Sequence, residues 1–236
     1  MYGTRARIGV IIPSSNTTTE PEFNAMTPGG VSIHIARLFW VAGASIADLK
    51  SRNEDIEAVA GLLATAGVNI IVYGCTIGSL VKGIRWDQEI MSRIKGATGI
   101  LPTTTSTAII KALRKLEVDR VAVASPYRAE LNQLVMEFLE AHGIKVVNMK
   151  GLNMHGQEVR RASPETTYNL AHEVNTPEAE AVFISCANFK SITVIDKLEK
   201  ELQKYVFSSN TATMWDALRM LNIDDQIKGY GRLFEH

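Results

Sequence analysis

Residues 69–79, NIIVYGCTIGS, carry the pattern that decides the fold: an apolar, β-favouring run stops at a cysteine and continues into small polar residues. Residues 180–191, EAVFISCANFKS, repeat that pattern around the second of the chain's two cysteines. A buried strand that ends at Cys75 or Cys186 places the thiol at the strand's carboxyl end, where open α/β sheets bind ligands. The sequence therefore predicts two thiols that face one small molecule from opposite sides.

Short apolar strands alternate with amphipathic segments of helix length along the chain. Enrichment in Val, Ile and Phe marks the strands, and the helical spacing of apolar residues marks the helices. The predicted strands are 6–12, 31–38, 68–74, 99–102, 119–124, 144–149, 180–185 and 204–207. The predicted helices are 54–66, 85–95, 106–116, 128–142, 164–174, 191–203 and 211–221. This alternation predicts an α/β fold with a mainly parallel sheet and helices on both faces.

Landmarks recur in the same order in the two halves of the chain. Cys186 follows Cys75 by 111 residues, and the strand end at Pro126 follows the similar strand end at Pro13 by 113 residues. A repeat of this length predicts two similar α/β lobes, each with a mainly parallel four-stranded sheet, related by a pseudo-two-fold axis. We predict a first lobe from 1–105 plus 208–236 and a second lobe from 106–207, with the active site in the cleft between them.

Charge and motifs exclude several classes of function. The 25 Lys and Arg residues balance 25 Asp and Glu residues, which argues against nucleic acid as a partner. No apolar run reaches the length of a membrane span, and the N-terminus lacks the organisation of a signal peptide. Dinucleotide-binding, P-loop, α/β-hydrolase and zinc fingerprints are all missing from the sequence. We therefore expect a cytoplasmic protein with no metal and no cofactor.

Small hydroxyl- and amide-bearing loops follow the predicted strands and lead into the predicted helices. Helix N-termini carry free N–H groups, so several such loops around one cleft could hold carboxylates without Lys or Arg. Ser, Thr and Asn are also good helix caps, and capping alone would explain any single loop. The loops are 13–19, 75–79, 102–107, 125–127, 186–188 and 208–211.

The two cysteines follow the apolar runs, close to predicted helix starts. A free cysteine often packs as an inert small hydrophobe. The positive end of a helix dipole instead favours thiolate over thiol, which would activate both sulfur atoms. The matched placement of Cys75 and Cys186 in two repeated halves favours the chemical interpretation.

These motifs resemble the aspartate/glutamate racemase superfamily, and within it the branch of maleate cis-trans isomerases and arylmalonate decarboxylases. The resemblance covers nearly the whole chain in order and rests most on the opening PSSNTT element and the two strand-end cysteines. The other motifs that carry it are YGCT at 73–76, SPY at 125–127 and FISCAN at 183–188. The decarboxylase branch has Gly at the first cysteine position, so Cys75 makes this chain look more like an isomerase or racemase.

The resemblance implies a cofactor-independent isomerase of a small carboxylate. In a maleate isomerase, Cys75 would be the nucleophile that forms a thioether adduct, and Cys186 would donate and recover the proton. A racemase or epimerase that uses one thiol on each face of a carbon is the first alternative, and a carboxylate-binding module without catalysis is the second. Which carboxylate is the substrate stays open.

Site residues follow from the loops and the resemblance together. We expect catalysis by Cys75 and Cys186, a small-molecule carboxylate as the partner, and assembly into a homo-oligomer, a dimer or higher. His155, in the loop 153–161, could hydrogen-bond a substrate. The expected substrate-binding residues are Asn16, Ser15, Thr76, Tyr127, Ser185, Ala187, Asn188 and Asn210.

Overall fold

Two four-stranded parallel sheets form the framework of the computed structural model, which describes residues 1–40 and 55–236. The first sheet has the order β2-β1-β3-β4 and the second the order β6-β5-β7-β8, so the same arrangement occurs twice. The first contains β1 (Ala6–Pro13), β2 (Val31–Leu38), β3 (Ile70–Tyr73) and β4 (Leu101–Thr104). The second contains β5 (Arg120–Ser125), β6 (Lys145–Gly151), β7 (Ala181–Ile184) and β8 (Tyr205–Ser208). The predicted fold class is confirmed.

Helices connect the strands and flank both sheets. Those before the second sheet are α1 (Thr19–Ala25), α2 (Ile56–Thr65), α3 (Thr76–Leu80), α4 (Trp86–Thr98) and α5 (Thr105–Lys115). Those that follow are α6 (Ala129–Ala141), α7 (Gly156–Arg161), α8 (Pro164–Val174), α9 (Ile192–Leu202), α10 (Ser209–Met220) and a 3-10 turn at Arg232–Glu235. Residue 54 of the predicted helix 54–66 lies outside the described residues.

The central strands are buried on both faces, as parallel sheets covered by helices require. In β1, Ile8, Val10, Ile11 and Ile12 are all fully buried. One apolar cluster includes residues of both sheets, so the two lobes share a core. Burial of this kind is the main favourable term in folding, at about 25 cal/mol for each Å² of apolar surface.

Helix α10 joins the two lobes. It follows β8 of the second sheet, yet it packs against α5 and contacts α1, β3 and β4 of the first half. Lys111 of α5 forms an ion pair with the buried Asp216 of α10 at 2.8 Å, and Thr103 donates a hydrogen bond to the same carboxylate. The Lys111–Asp216 ion pair crosses the predicted boundary between the lobes, whereas Thr103 and Asp216 belong to the same predicted lobe. The lobe limits 1–105 plus 208–236 and 106–207 themselves stay a prediction.

Candidate active site

A cavity of about 140 Å³ opens at the carboxyl ends of the strands, and both cysteines line it. Cys75 comes from the loop after β3 and Cys186 from the loop after β7, so each lobe contributes one sulfur atom. Most of the predicted substrate-binding residues also line the wall: Ser15, Asn16, Thr76, Tyr127, Ala187 and Asn188.

Cys75 is the N-cap residue of the short helix α3. Its backbone is extended, with φ −145° and ψ 115°, and its sulfur accepts a hydrogen bond from the Gly78 N–H at 3.3 Å. The backbone carbonyl of Cys75 accepts from the Ser79 hydroxyl at 2.8 Å. A side chain at an N-cap normally satisfies a free helix N–H group in this way. The cap therefore fixes where the Cys75 sulfur points.

Gly78 leaves the space that the Cys75 sulfur occupies. A Cβ at this position would lie 2.5 Å from Tyr73 Oη and 3.0 Å from Cys75 Sγ, and Tyr73 is 1% exposed. We expect Gly78→Ala to lower the free energy of unfolding by about 1–3 kcal/mol, since overpacking moves buried groups.

Gly96→Ala is the matched control, because a Cβ in that part of α4 meets no atom within 4 Å. It should raise the free energy of unfolding by about 0.5–1 kcal/mol through its effect on the helix. Urea unfolding measures both variants. Equal stability of the two proteins would contradict the steric argument.

The thiols are less acidic than the helix dipole led us to expect. Burial raises the pKa of Cys75 to about 12, and the hydrogen bond from Gly78 only partly opposes it. Burial also raises the pKa of Cys186. The expectation that the helix dipole favours the thiolates is wrong, because desolvation of the charged sulfur outweighs the effect of a five-residue helix terminus.

Alkylation of Cys75 by iodoacetamide should therefore increase steadily with pH. The thiolate is the reactive form, and below the pKa its fraction rises about tenfold for each pH unit. We expect this slope from about pH 7 to about pH 9 in a Cys186→Ser variant, measured by mass spectrometry of the labelled peptide. A rate that begins to level off at about pH 8.5 would show that the buried thiol ionises near its ordinary pKa.

Cys186 has a strained backbone, with a φ of 104°. Residues other than glycine rarely adopt a positive φ, and such strain persists only when neighbouring contacts hold it. The Tyr127 hydroxyl and the Asn188 and Phe189 N–H groups favour the charged form of this sulfur and partly oppose the rise in its pKa. Burial also raises the pKa of Tyr127 well above its usual value, so the phenol keeps its proton and can donate it.

The carbonyl oxygen of Ala187, next to Cys186, accepts three hydrogen bonds. Thr19 Oγ1 donates at 2.9 Å, Asn210 Nδ2 at 3.0 Å and Asn16 Nδ2 at 3.3 Å. Asn16 and Thr19 belong to the loop and helix after β1, so the first lobe holds the Cys186 loop of the second. These bonds supply the contacts that keep the Cys186 backbone in its strained conformation.

A buried carboxylate, Glu22, anchors the same network. Its oxygens accept from Asn210 Nδ2 at 2.6 Å and from the Ser191 and Ile192 N–H groups at 2.8 and 3.3 Å. It thus caps α9 of the second lobe from α1 of the first, where the helix dipole favours negative charge. Burial raises its pKa despite these donors. Nothing in the sequence pattern had pointed to Glu22.

Ser209 connects the two cysteine loops directly. Its hydroxyl oxygen accepts from Thr76 Oγ1 at 2.9 Å and from the Cys186 N–H at 3.1 Å. The predicted loop 208–211 contains Ser209, but only the structure shows that it links the residue after Cys75 to Cys186.

Two predicted substrate-binding residues, Ser185 and Asn210, do not line the cavity. Ser185 is fully buried at the end of β7, and no described group lies within hydrogen-bond distance of its hydroxyl. Asn210 is 2% exposed and uses its amide on Glu22, Thr19 and Ala187. Asn210 therefore supports the wall from behind. Asn210 lies in a polar segment after a strand and at the start of helix α10, as residues of the cavity wall also do, so the sequence pattern could not distinguish it from them.

The rest of the cavity lining is mostly apolar. Arg128 and His155 are the exceptions, and His155 begins α7 at the loop already noted in the sequence. Sequence reasoning missed most of this wall, because its members come from separate elements without a shared motif. The further lining residues are Pro13, Trp40, Ile77, Leu131, Met154, Gly156 and Val159.

Residues 1–40 and 55–236 contain neither a metal-binding cluster nor a membrane-spanning helix. No group of three or more His, Cys, Asp or Glu side chains lies close enough together to hold a metal ion. No helix in these ranges is long and apolar enough to cross a bilayer.

Comparison with protein families identifies the chain over nearly its full length. A family model described as arylmalonate decarboxylase matches residues 8–234. The chain belongs to the arylmalonate decarboxylase family. The superfamily branch that the sequence motifs indicated is thereby confirmed.

Maleate isomerases are similar to this chain in both sequence and structure over nearly its whole length. The maleate isomerase of Geobacillus stearothermophilus is 28% identical over 242 residues, covering 96% of each protein. A crystal structure of a Pseudomonas putida maleate isomerase with maleate has a TM-score of 0.93 at 25% identity, over 97% of each chain. A Nocardia farcinica maleate cis-trans isomerase, in a cysteine-to-serine mutant with a covalently bound succinylcysteine intermediate, has a TM-score of 0.91. It is 26% identical over 97% of this chain and 98% of that chain.

Proposed function

We propose that this chain is a cofactor-independent maleate cis-trans isomerase that converts maleate to fumarate through a thioether adduct on Cys75. The observation that carries the proposal is the pair of thiols, one from each lobe, that line a single small cavity. An addition–elimination path needs a nucleophile and a proton donor on the same bound alkene.

In the first half of the reaction, Cys75 releases its proton to solvent, and the resulting thiolate adds to one alkene carbon. The π electrons pass to the neighbouring carbon, which takes the proton of the Cys186 thiol. The product of this half is a succinyl thioether on Cys75 and a thiolate at Cys186. The former double bond is now a single bond and can rotate.

In the second half, the Cys186 thiolate removes the proton from the carbon. The electron pair re-forms the double bond in the trans geometry, and Cys75 leaves as a thiolate, which takes a proton back from solvent. Both sulfur atoms return to their starting states, so no cofactor is consumed. The raised pKa of Cys186 suits this role, because a thiol that keeps its proton can deliver it.

Neutral donors would hold the substrate carboxylate and the negative charge that develops beside it. Tyr127 is the strongest candidate, since it lines the cavity together with both cysteines and its raised pKa keeps its hydroxyl protonated. The side-chain amide of Asn16 already forms hydrogen bonds with Thr18, Thr19 and Ala187. Asn16 would bind substrate by exchanging its 3.3 Å bond to Ala187, the longest of these.

The relatives support the adduct. The Nocardia farcinica isomerase structure contains a covalently bound succinylcysteine, which is the species that thiolate addition to maleate produces. Cys75 is largely shielded from solvent but still accessible, with 9% of its surface exposed. Assembly into a dimer and a cytoplasmic location stay predictions.

Incubation of the protein with maleate, followed by proton NMR, tests the proposal. We expect the maleate signal to be replaced by that of fumarate without any added cofactor. The same preparation in heavy water with aspartate or glutamate should incorporate no deuterium at Cα. Deuterium at Cα without fumarate formation would instead assign the two thiols to a racemase.

A further inference from the structure

The charge of the cavity wall is uneven. Thr76, Tyr127 and Asn16 are neutral polar residues that line the cavity with the cysteines, while Trp40 and several aliphatic side chains make up much of the remaining lining. Arg128 carries the only permanent charge among the described residues that line the cavity. A dicarboxylate brings two negative charges into this space, and burial of an unpaired charge is costly.

Arg128 lies where it can reach a bound anion. It directly follows Tyr127, which also lines the cavity, and it is the N-cap residue of the 13-residue helix α6. Its side chain is 30% exposed, and Glu130 Oε2 lies 3.7 Å from the guanidinium. Across residues 1–40 and 55–236, no acceptor lies within hydrogen-bond distance of that guanidinium. Apart from this loose ion pair with Glu130, its N–H donors are available to a ligand.

Two neighbouring arginines are already engaged. Arg37 donates to the carbonyls of Ser14 and Asn16 and pairs with Glu20. Arg160 donates to the Ser15 carbonyl at 3.4 Å. Both brace the loop after β1, and neither lines the cavity. The contrast singles out Arg128 as the cation that faces the bound molecule.

We propose that Arg128 is a specificity-determining residue, which binds the second carboxylate of a dicarboxylate substrate while the neutral donors bind the first. This inference rests on the proposed function and adds the class of substrate: cis-unsaturated dicarboxylates over their half-amides and over monocarboxylates. A guanidinium binds a carboxylate through charge-assisted hydrogen bonds, and an amide cannot replace that charge.

Equilibrium binding tests the proposal without requiring turnover. Succinate and its half-amide, succinamate, lack the alkene and cannot react with Cys75. We expect isothermal calorimetry to show that the wild-type protein binds succinate roughly ten- to a hundredfold more tightly than succinamate, as for a charge-assisted pair. Arg128→Gln should reduce that ratio to about two or less, and Arg128→Lys should restore part of it.

Arg160→Gln is the matched control, since it removes a nearby arginine that does not line the cavity. Its ratio of succinate to succinamate affinity should equal that of the wild type. The proposal is wrong if Arg128→Gln keeps the wild-type ratio, or if Arg160→Gln loses it to the same extent.

Turnover then separates this inference from the proposed function. If the protein isomerises maleate, Arg128→Gln should raise KM for maleate by roughly ten- to a hundredfold with a smaller change in kcat, while KM for maleamate stays within about threefold. Maleate turnover with an unchanged KM in Arg128→Gln would overturn the inference and leave the proposed function intact. If the protein does not isomerise maleate but its preference for succinate depends on Arg128, the proposed function is overturned and the inference stands.

Discussion

Replacing Cys75 with serine is expected to lower kcat/KM for conversion of maleate to fumarate by roughly a thousandfold or more. A serine hydroxyl is a far weaker nucleophile than a thiolate. Coupled detection of fumarate measures the change, with the wild-type protein in the same buffer.

The Cys75→Ser variant should keep its fold. Serine is a better helix cap than cysteine, so its hydroxyl can accept the Gly78 N–H that the sulfur accepts now. The circular dichroism spectrum and the midpoint of thermal unfolding should match the wild type. A folded Cys75→Ser protein with more than about a tenth of wild-type turnover would refute nucleophilic addition by Cys75.

Replacing Cys186 with serine is expected to trap the reaction half-way. Maleate should add slowly to Cys75, and the adduct should accumulate because the base that reverses the addition is missing. Loss of a positioned acid–base group lowers turnover by about a hundred- to ten-thousandfold. Mass spectrometry should find one added maleate on the peptide that contains Cys75.

The double variant Cys75→Ser, Cys186→Ser is the control for the trapped adduct and should gain no mass from maleate. A modified peptide in the double variant would indicate reaction elsewhere on the chain. Mass on the Cys186 peptide of a Cys75→Ser variant would reverse the proposed roles of the two cysteines.

Periodicity was enough to predict most of the framework. The strands at 6–12 and 119–124 match β1 and β5 closely, because buried parallel strands read as nearly continuous apolar runs. The helix at 164–174 matches α8, where Ser163 accepts from the Thr166 N–H and Pro164 begins the helix. Signals of this kind depend only on residues that are close together in the sequence, so they can be recognised without the structure.

The short helices were not predicted. Helices α1, α3 and α7 have seven, five and six residues, too few for a helical period to repeat clearly. Two of them begin at the cavity, at Cys75 and at His155. The elements closest to the chemistry are thus the ones that periodicity detects least.

The strand-end rule brought together the two cysteines and six of the eight expected substrate-binding residues. It could not separate wall residues from those behind the wall, since Asn188 and Asn210 have the same local sequence signal. It also gave the wrong direction for the thiol pKa values, because burial depends on the whole tertiary structure. Contacts such as Glu22 with Asn210 span 188 residues and leave no local trace.

The three hydrogen bonds to the Ala187 carbonyl have a consequence for how substrate enters and product leaves. Two of the donors, Asn16 and Thr19, belong to the first lobe, so a hinge motion that parted the lobes would remove them. The Cys186 backbone would then relax toward an ordinary φ angle, and its sulfur would leave its present position in the cavity wall. Substrate and product are therefore expected to enter and leave while the two lobes stay in contact.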